Sequence, residues 1–322
     1  MSERARIEQL SRIFGASPLA SRAELGIGDD AAVLAPPPGR RLVVSVDEQV
    51  EGTHFRRDLV TYSDIGYRAT MAAASDLAAM GAEPYAAVAA LVVPDDVDDA
   101  ALVAVARGQA EAAARVGFPV VGGNLARGSA LSIATTVLGL ADVPLLRAGA
   151  RPGDGVFVSG ALGLAHLGFV AISRGVRDEV MASARAAWTR PDARIADGLR
   201  VRGWAHAAID VSDGLAKDAG AIADASGVTI VLERALLADH AEASGAAAAA
   251  RALGADVEDA MLRGGEDYAL VVTAPEGEPI AGFARIGTVR VGPSVVVLRD
   301  AVRGEVEVTG GFDHFAPRAA PR

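Results

Sequence analysis

No cysteine occurs anywhere in the 322 residues. That absence excludes disulfides, thiolate-bound metals, iron–sulfur clusters and a cysteine nucleophile, and it suits a reducing cytoplasm. Lysine is almost as scarce, because Lys217 stands alone among the arginines. A Walker A loop, which needs Gly-Lys-Ser or Gly-Lys-Thr after a glycine-rich turn, is therefore excluded. Positive charge is short overall: the net charge is -10 and the pI about 5.0. The chain thus lacks the cationic surface that nucleic-acid binding requires. No uncharged apolar run is long enough to span a bilayer, and the N-terminal stretch from Met1 to Arg6 leads into no apolar segment of the signal-peptide kind. Neither a Ser-His-Asp order nor a histidine pair at metal spacing stands out, so hydrolysis by a nucleophile or by zinc has little support.

A chain of this length exceeds one ordinary core, and two domains are expected. Periodicity predicts a short N-terminal helix, a strand over residues 41–46 running into Asp47, a helix over 62–80 and a buried strand over 85–93. Acids at 95–99 then open an alanine-rich helix to 116, and strands follow at 119–121 and 131–140. This order gives an α/β fold of the α+β kind, with helices on one face of a mixed sheet. The other face also needs cover, which a second copy of the chain would provide as a homodimer. The turn-rich stretch at 148–154 divides the chain into an N-terminal domain, 1–147, and a C-terminal α/β domain, 148–322. In the latter, strands alternate with alanine-rich helices, and residues 241–253 read as a surface helix. Ser75-Asp76-Leu77-Ala78 and Ser212-Asp213-Gly214-Leu215-Ala216 hint at two related halves but are too short to establish a repeat.

What the chain does have is carboxylates beside glycines at widely separated points. Asp29 and Asp30 follow Gly28, Asp47 and Glu48 end an apolar run, Asp76 interrupts an apolar helix, Asp210 and Asp213 bracket Val211-Ser212, and Glu266-Asp267 follow Gly264-Gly265. Converging in one fold, they would repel one another unless cations sat between them, an arrangement suited to Mg²⁺ ions holding a polyphosphate. Gly26-Ile27-Gly28-Asp29-Asp30-Ala31 fits the loose dinucleotide pattern, but its lead-in is not an apolar strand and two carboxylates would repel a pyrophosphate. A metal-bearing loop and an ordinary acidic turn remain open there. Ser45-Val46-Asp47-Glu48 reads as a crevice-facing or a solvated strand end, His54 as a ligand-contacting or a structural histidine, and Asp76 as a cation-bound or an exposed helical residue. Gly122-Gly123-Asn124 and Gly264-Gly265-Glu266-Asp267 each set flexible backbone beside a polar group, and plain turns would do the same.

At these residues the chain resembles the thiamine-monophosphate kinase family, in the superfamily that includes aminoimidazole ribonucleotide synthetase and selenophosphate synthetase. The resemblance runs through 26–30, 45–55, 75–84, 210–215, 264–268 and 311–315. It implies transfer of the γ-phosphoryl group of ATP to thiamine monophosphate, with an N-terminal domain that binds ATP and Mg²⁺ and forms the dimer, and a C-terminal domain that completes the site. Asp30, Ser45, Asp47, Asp76, Asp210 and Asp213 would hold several Mg²⁺ ions, with Asp47, Asp76 and Asp213 central to catalysis. Gly122, Gly123, Arg147 and Ser212 would contact ATP, while His54, Glu266 and Phe312 would contact the thiamine end. Where the family usually has Gly-Gly-Asp this chain has Asn124, which could offer Mg²⁺ a carbonyl oxygen but no charge. Selenophosphate synthetase is disfavoured by the missing N-terminal cysteine and lysine, and the hydrogenase-maturation relative by the missing C-terminal cysteine. The alternatives are a related ATP-dependent enzyme acting on another phosphorylated metabolite, or a homologue that binds nucleotide and thiamine phosphate without turnover.

Overall fold

The computed structural model describes residues 2–27, 31–277 and 280–315. In chain order its helices and strands are α1 (Glu3–Gly15), β1 (Ala23–Leu25), β2 (Val33–Leu34), β3 (Arg41–Val50), α2 (Tyr62–Ala79), β4 (Glu83–Val93), α3 (Asp99–Val116), β5 (Val120–Arg127), β6 (Ser132–Ala141), β7 (Asp154–Ser159), α4 (Leu164–Ser173), α5 (Ala182–Thr189) and α6 (Ile195–Val201). There follow β8 (Ala207–Val211), α7 (Leu215–Ser226), β9 (Thr229–Glu233), α8 (Arg234–Ser244), α9 (Ala246–Leu253), α10 (Val257–Arg263), β10 (Ala269–Pro275), β11 (Ala284–Arg290), β12 (Val295–Asp300) and β13 (Gly304–Glu307). These form two compact units, Met1–Leu146 with Thr189–Asp210, and Arg147–Trp188 with Val211–Arg322. Among the described residues no helix is long and apolar enough to cross a membrane.

The first unit is built on a sheet ordered β3-β6-β4-β5. β6 pairs antiparallel with β3 and β4, whereas β4 and β5 are parallel because α3 crosses between them. Strand alternation separates the two faces of β3. Val43 packs on the core around Met71 and Leu77, while Leu42, Val44 and Val46 remain 49%, 58% and 63% exposed. On β3 one face therefore meets helices and the other carries three exposed apolar side chains, whereas on β4 and β6 that second face is partly covered, Ala86 and Leu140 being buried with Ala23, Ala32 and Leu34 packed against them.

α2 begins where the Thr61 hydroxyl accepts a hydrogen bond from the Asp64 N–H at 3.1 Å. α3 begins at Asp98, which accepts from Ala101 N–H at 2.7 Å. The two helices meet backbone to backbone. A Cβ on Gly66 would lie 2.0 Å from the Val105 carbonyl oxygen, and one on Gly108 would lie 1.9 Å from that of Ser63. α6 closes on the other side of α2 by the same device, since a Cβ on Gly198 would lie 2.1 Å from the Ala78 oxygen. This contact explains why Thr189–Asp210, which follows the 147/148 division in sequence, folds with the first unit.

Three readings of local structure change. β3 continues to Val50, so Asp47 and Glu48 lie within a strand and not at its end. β5 runs from Val120 to Arg127 and takes Gly122-Gly123-Asn124 into extended structure in place of a turn. Gly123 permits this because a Cβ there would sit 2.0 Å from the oxygen of Ala89 on β4. The alanine-rich stretch at 241–253 is not one surface helix: Gly245, at φ +84°, separates α8 from α9, and Ala246, Ala247, Ala249 and Ala250 are buried.

The second unit carries the sheet order β13-β12-β9-β11-β7-β10. β12 and β9 are parallel and the pairs β13/β12, β11/β9, β11/β7 and β10/β7 antiparallel. Gly66→Ala should force α2 and α3 apart and lower unfolding stability by about 1–3 kcal/mol. Urea denaturation of this variant measures the effect, with Gly15→Ala as a control because Gly15 is exposed and a Cβ there meets nothing within 4 Å; an unchanged midpoint would remove the close contact.

Candidate active site

In the first unit β3, α2 and β8 carry Ser45, Asp47, Asp76 and Asp210, and two hydrogen bonds join α2 to the other two elements. Ser45 lies on the helix-facing row of β3, and its Oγ donates to Asp76 Oδ2 at 2.5 Å. The next side chain back along α2, Ser75, is buried and donates to Asp210 Oδ2 at 2.5 Å. Ser75 Oγ is also 2.9 Å from the Ala72 carbonyl, but a hydroxyl has one proton and the charged acceptor takes it. Asp210 is 7% exposed at the end of β8. Asp47 shares the helix-facing row with Ser45 and accepts from Gln49 Nε2 at 3.2 Å. Asp30 lies outside the described residues.

Past β3 the chain turns at Gly52, φ +81°. Val50 N–H donates to His54 Nδ1 at 3.0 Å. Nδ1 must be unprotonated to accept, so the neutral ring carries its hydrogen on Nε2 and presents a donor there.

Gly122, Gly123 and Asn124 line a cavity of 870 Å³ together with Phe14, Ile27 and Val88. The register aligns Asn124 with Ala90, Ala134 and Glu48. Its side chain therefore belongs to the opposite face of the sheet from Asp47, and the structure does not bring these two together.

In the second unit the segment from Ser212 to Gly214 is held by backbone bonds on several sides. Ser212 O accepts from Glu266 N–H at 2.7 Å and Asp213 O from Phe312 N–H at 2.9 Å. Asp218 Oδ2 accepts from the N–H groups of Asp213 and Gly214 at 3.0 and 3.1 Å. The Asp213 carboxylate pairs with Lys217 Nζ at 2.6 Å. Gly265, Glu266 and Tyr268 have φ of +72°, +59° and +47°. A left-handed backbone at the two non-glycine positions costs roughly 1–3 kcal/mol each, a local strain of the kind concentrated at binding sites. Glu266 is oriented by the buried Trp188, whose Nε1 donates to Oε2 at 2.7 Å. Phe312 is 41% exposed and meets His314 edge to face at 4.7 Å. The structure thus gathers Ser212, Asp213, Glu266 and Phe312, while Arg147 is exposed, with its carbonyl accepting from Ser226 Oγ at 3.1 Å.

Trp188 and Asp218 escape the sequence reading, and Asp267 enters it only as one of the clustered carboxylates. Asp218 follows Asp213 by five residues and Asp267 follows Glu266, but nothing in the pattern separates a carboxylate that anchors backbone from one that faces a ligand. Asp267 accepts from the N–H groups of Gly163 and Ala165 at 2.6 and 3.0 Å, fixing the start of α4. The similarity of Ser75-Asp76 to Ser212-Asp213 has no local structural counterpart, since the first pair is inside α2 and the second precedes α7.

Two α/β units bearing oxygen-rich clusters place the protein in a known class. Residues 28–141 match the AIR synthase related protein, N-terminal domain, and residues 151–296 match the AIR synthase related protein, C-terminal domain. Within that class the chain belongs to the thiamine-monophosphate kinase family. It is 39% identical over 277 residues to the thiamine-monophosphate kinase of Mycobacterium tuberculosis (strain ATCC 25618 / H37Rv), covering 85% of this chain and 81% of that one. The crystal structure of the thiamine-monophosphate kinase from Stenotrophomonas maltophilia K279a is similar at a TM-score of 0.77 and 31% identity, over 92% of this chain and 96% of the other. AaThiL complexed with AMPPCP and TMP is similar at a TM-score of 0.76 and 25% identity, over 95% and 96% of the two chains.

Burial, with Glu266 and Asp218 nearby, pushes the Asp267 carboxyl up to about 7 from its ordinary 3.8, against the lowering effect of its two N–H donors. Between these values the folded chain keeps a proton that the unfolded chain releases, so stability falls as pH rises through the window and the loss is complete above about 7. Asp218, pushed up to about 6 chiefly by burial, contributes with the same sign. The difference between wild type and Asp267→Asn isolates Asp267. In urea titrations from pH 4 to 8 the variant should be less stable at low pH and lose less stability on going to high pH; parallel profiles would rule out a titrating Asp267.

Proposed function

We propose that the protein catalyses direct, in-line transfer of the γ-phosphoryl group from ATP to thiamine monophosphate. An oxygen of the acceptor phosphate bonds to the γ-phosphorus as the bond to the β–γ bridging oxygen breaks, giving thiamine diphosphate and ADP. The observation that carries this reading is the pairing of Ser45 with Asp76 and Ser75 with Asp210, within a fold shared with a protein complexed with AMPPCP and TMP.

The donor set fits magnesium. Ser45, Asp76 and Asp210 offer hard oxygen, the ligand Mg²⁺ prefers. Among the described residues no three carboxylates or imidazoles enclose a metal ion by themselves. Mg²⁺ does not require that, because it is commonly held through one or two carboxylates with phosphates and water completing its shell. Asp30, Ser45, Asp47, Asp76, Asp210 and Asp213 would hold several such ions. Bound there, magnesium would neutralise phosphate charge and polarise the transferring group.

The remaining work falls to positioning. The acceptor phosphate has a second pKa of about 6 and is largely ionised at neutral pH, so alignment matters more than a general base. Gly122 and Gly123, on the cavity wall, would contact the nucleotide, with Ser212 and Arg147 as further contacts. His54 supplies its Nε2–H to an anionic or carbonyl oxygen. Glu266, fixed by Trp188, and the face of Phe312 receive the cationic thiamine. Asn124, on the cavity wall, is assigned to the nucleotide and not to the ion at Asp47.

The open row of Leu42, Val44 and Val46 supports a homodimer through this sheet, since a contiguous apolar face is covered in stable assemblies. A chain without cysteine suits the cytoplasm, where disulfides do not form.

Incubation with ATP, Mg²⁺ and thiamine monophosphate should yield thiamine diphosphate and equimolar ADP by chromatography, with free thiamine inert. ATP binding without product would overturn the kinase reading. Asp76→Asn should lower kcat by on the order of 10²-fold while retaining the wild-type thermal transition. Light scattering should find a dimer at micromolar concentration and a monomer for Val44→Glu; a monomeric wild type would refute the interface.

A further inference from the structure

The one lysine of the chain joins two groups to which the proposed function gives separate tasks. Lys217 Nζ lies 2.6 Å from Asp213 Oδ2 and donates to the Phe312 carbonyl oxygen, also at 2.6 Å. Phe312 N–H returns a bond to Asp213 O at 2.9 Å. Between them the chain lies flat on the turn: at Gly311, φ +153°, a Cβ would come 2.7 Å from Asp213 O and 2.9 Å from Lys217 Cβ. The turn is itself fixed by Asp218 through the N–H groups of Asp213 and Gly214. One ammonium group thus ties residues 310–312 to the carboxylate of a turn whose backbone Asp218 fixes.

We propose that Lys217 is a positioning residue that clasps the 310–312 segment to the Asp213 turn and yields the Asp213 carboxylate when a divalent cation takes it. This rests on the kinase reading for the roles of Asp213 and Phe312. An ammonium group on Oδ2 and a divalent cation on the same carboxylate repel one another, so the ion pair opposes metal entry. The bond to Phe312 O does not, because –NH₃⁺ has three donors and keeps that one as it leaves Asp213. Loss of the amine therefore has two effects of opposite sign. Cation binding becomes tighter, and the aromatic that receives the thiamine end loses its anchor.

Lys217→Met should lower the Mg²⁺ concentration for half-maximal activity at least 2-fold. It should also raise the KM for thiamine monophosphate at least 5-fold at saturating Mg²⁺, leaving the KM for ATP unchanged. Lys217→Arg, which retains charge and donors, should restore the KM for thiamine monophosphate to within 2-fold. A merely structural lysine would lower the thermal midpoint and move neither quantity. Because Lys217 is the sole lysine, ¹⁵N-lysine labelling gives one side-chain ammonium resonance. It should shift on addition of Mg²⁺ with a non-hydrolysable ATP analogue, and Asp213→Asn should shift it without Mg²⁺. A resonance indifferent to Mg²⁺, or a Lys217→Met enzyme with wild-type Mg²⁺ demand, would overturn the clasp. If the wild type forms no thiamine diphosphate the kinase reading falls, and the ammonium titration still decides whether the clasp exists.

Discussion

Negative charge gathered at close quarters is the constraint that this protein has to satisfy throughout. In the first unit Asp76 and Asp210 each take a serine hydroxyl. In the second, Asp218 and Asp267 each take two backbone N–H groups. Hydroxyl and amide donors stabilise a carboxylate without adding positive charge, so the local potential stays negative. Burial then acts on what remains, and Asp218 and Asp267 are pushed up to about 6 and about 7. Under the proposed function, the carboxylates of the site would take divalent cations and, through them, polyphosphates. The acidic composition and the site chemistry are one property at two scales.

Much of this was legible in the residues, though unevenly. α2 and α3 can be placed because long apolar stretches follow residues suited to N-caps, Thr61 and Asp98. The union of Ser45 with Asp76 was legible only through the resemblance, since 31 residues separate them and strand-to-helix packing sets their distance. At Gly122-Gly123 the sequence leaves a plain turn open, because glycine pairs usually mark one. Here the missing Cβ serves a close strand contact instead, which only the parallel pairing of β4 and β5 reveals. The 241–253 helix was misread for a related reason: alanine is compatible with burial and exposure alike, and Gly245 looked like one more small residue. Trp188 leaves no pattern at all, because its partner is 78 residues away, and Lys217, whose ion pair with Asp213 is local, gives no sign of its bond to Phe312, 95 residues on.

The return of Thr189–Asp210 to the first unit gives the two units different dependence on chain continuity. The first needs α6 to cover α2, where Gly198 meets the Ala78 backbone. It also needs β8 to supply Asp210, the partner of Ser75. A fragment ending near residue 147 would lack both, so neither the core of this unit nor its acidic cluster is encoded by the N-terminal stretch alone.

The contact between α2 and α3 also bears on how sequence drift reaches the site. At Gly66 and Gly108 the helices touch through main chain, with no rotamers between them. Such a bearing has fixed dimensions, unlike a layer of leucines or methionines that can repack to new spacings. Ser75 and Asp76 ride on the same α2. Alanines and valines elsewhere in this core can therefore be exchanged over evolutionary time with little displacement of the carboxylate row, which leaves the chemistry insulated from neutral change in the packing around it.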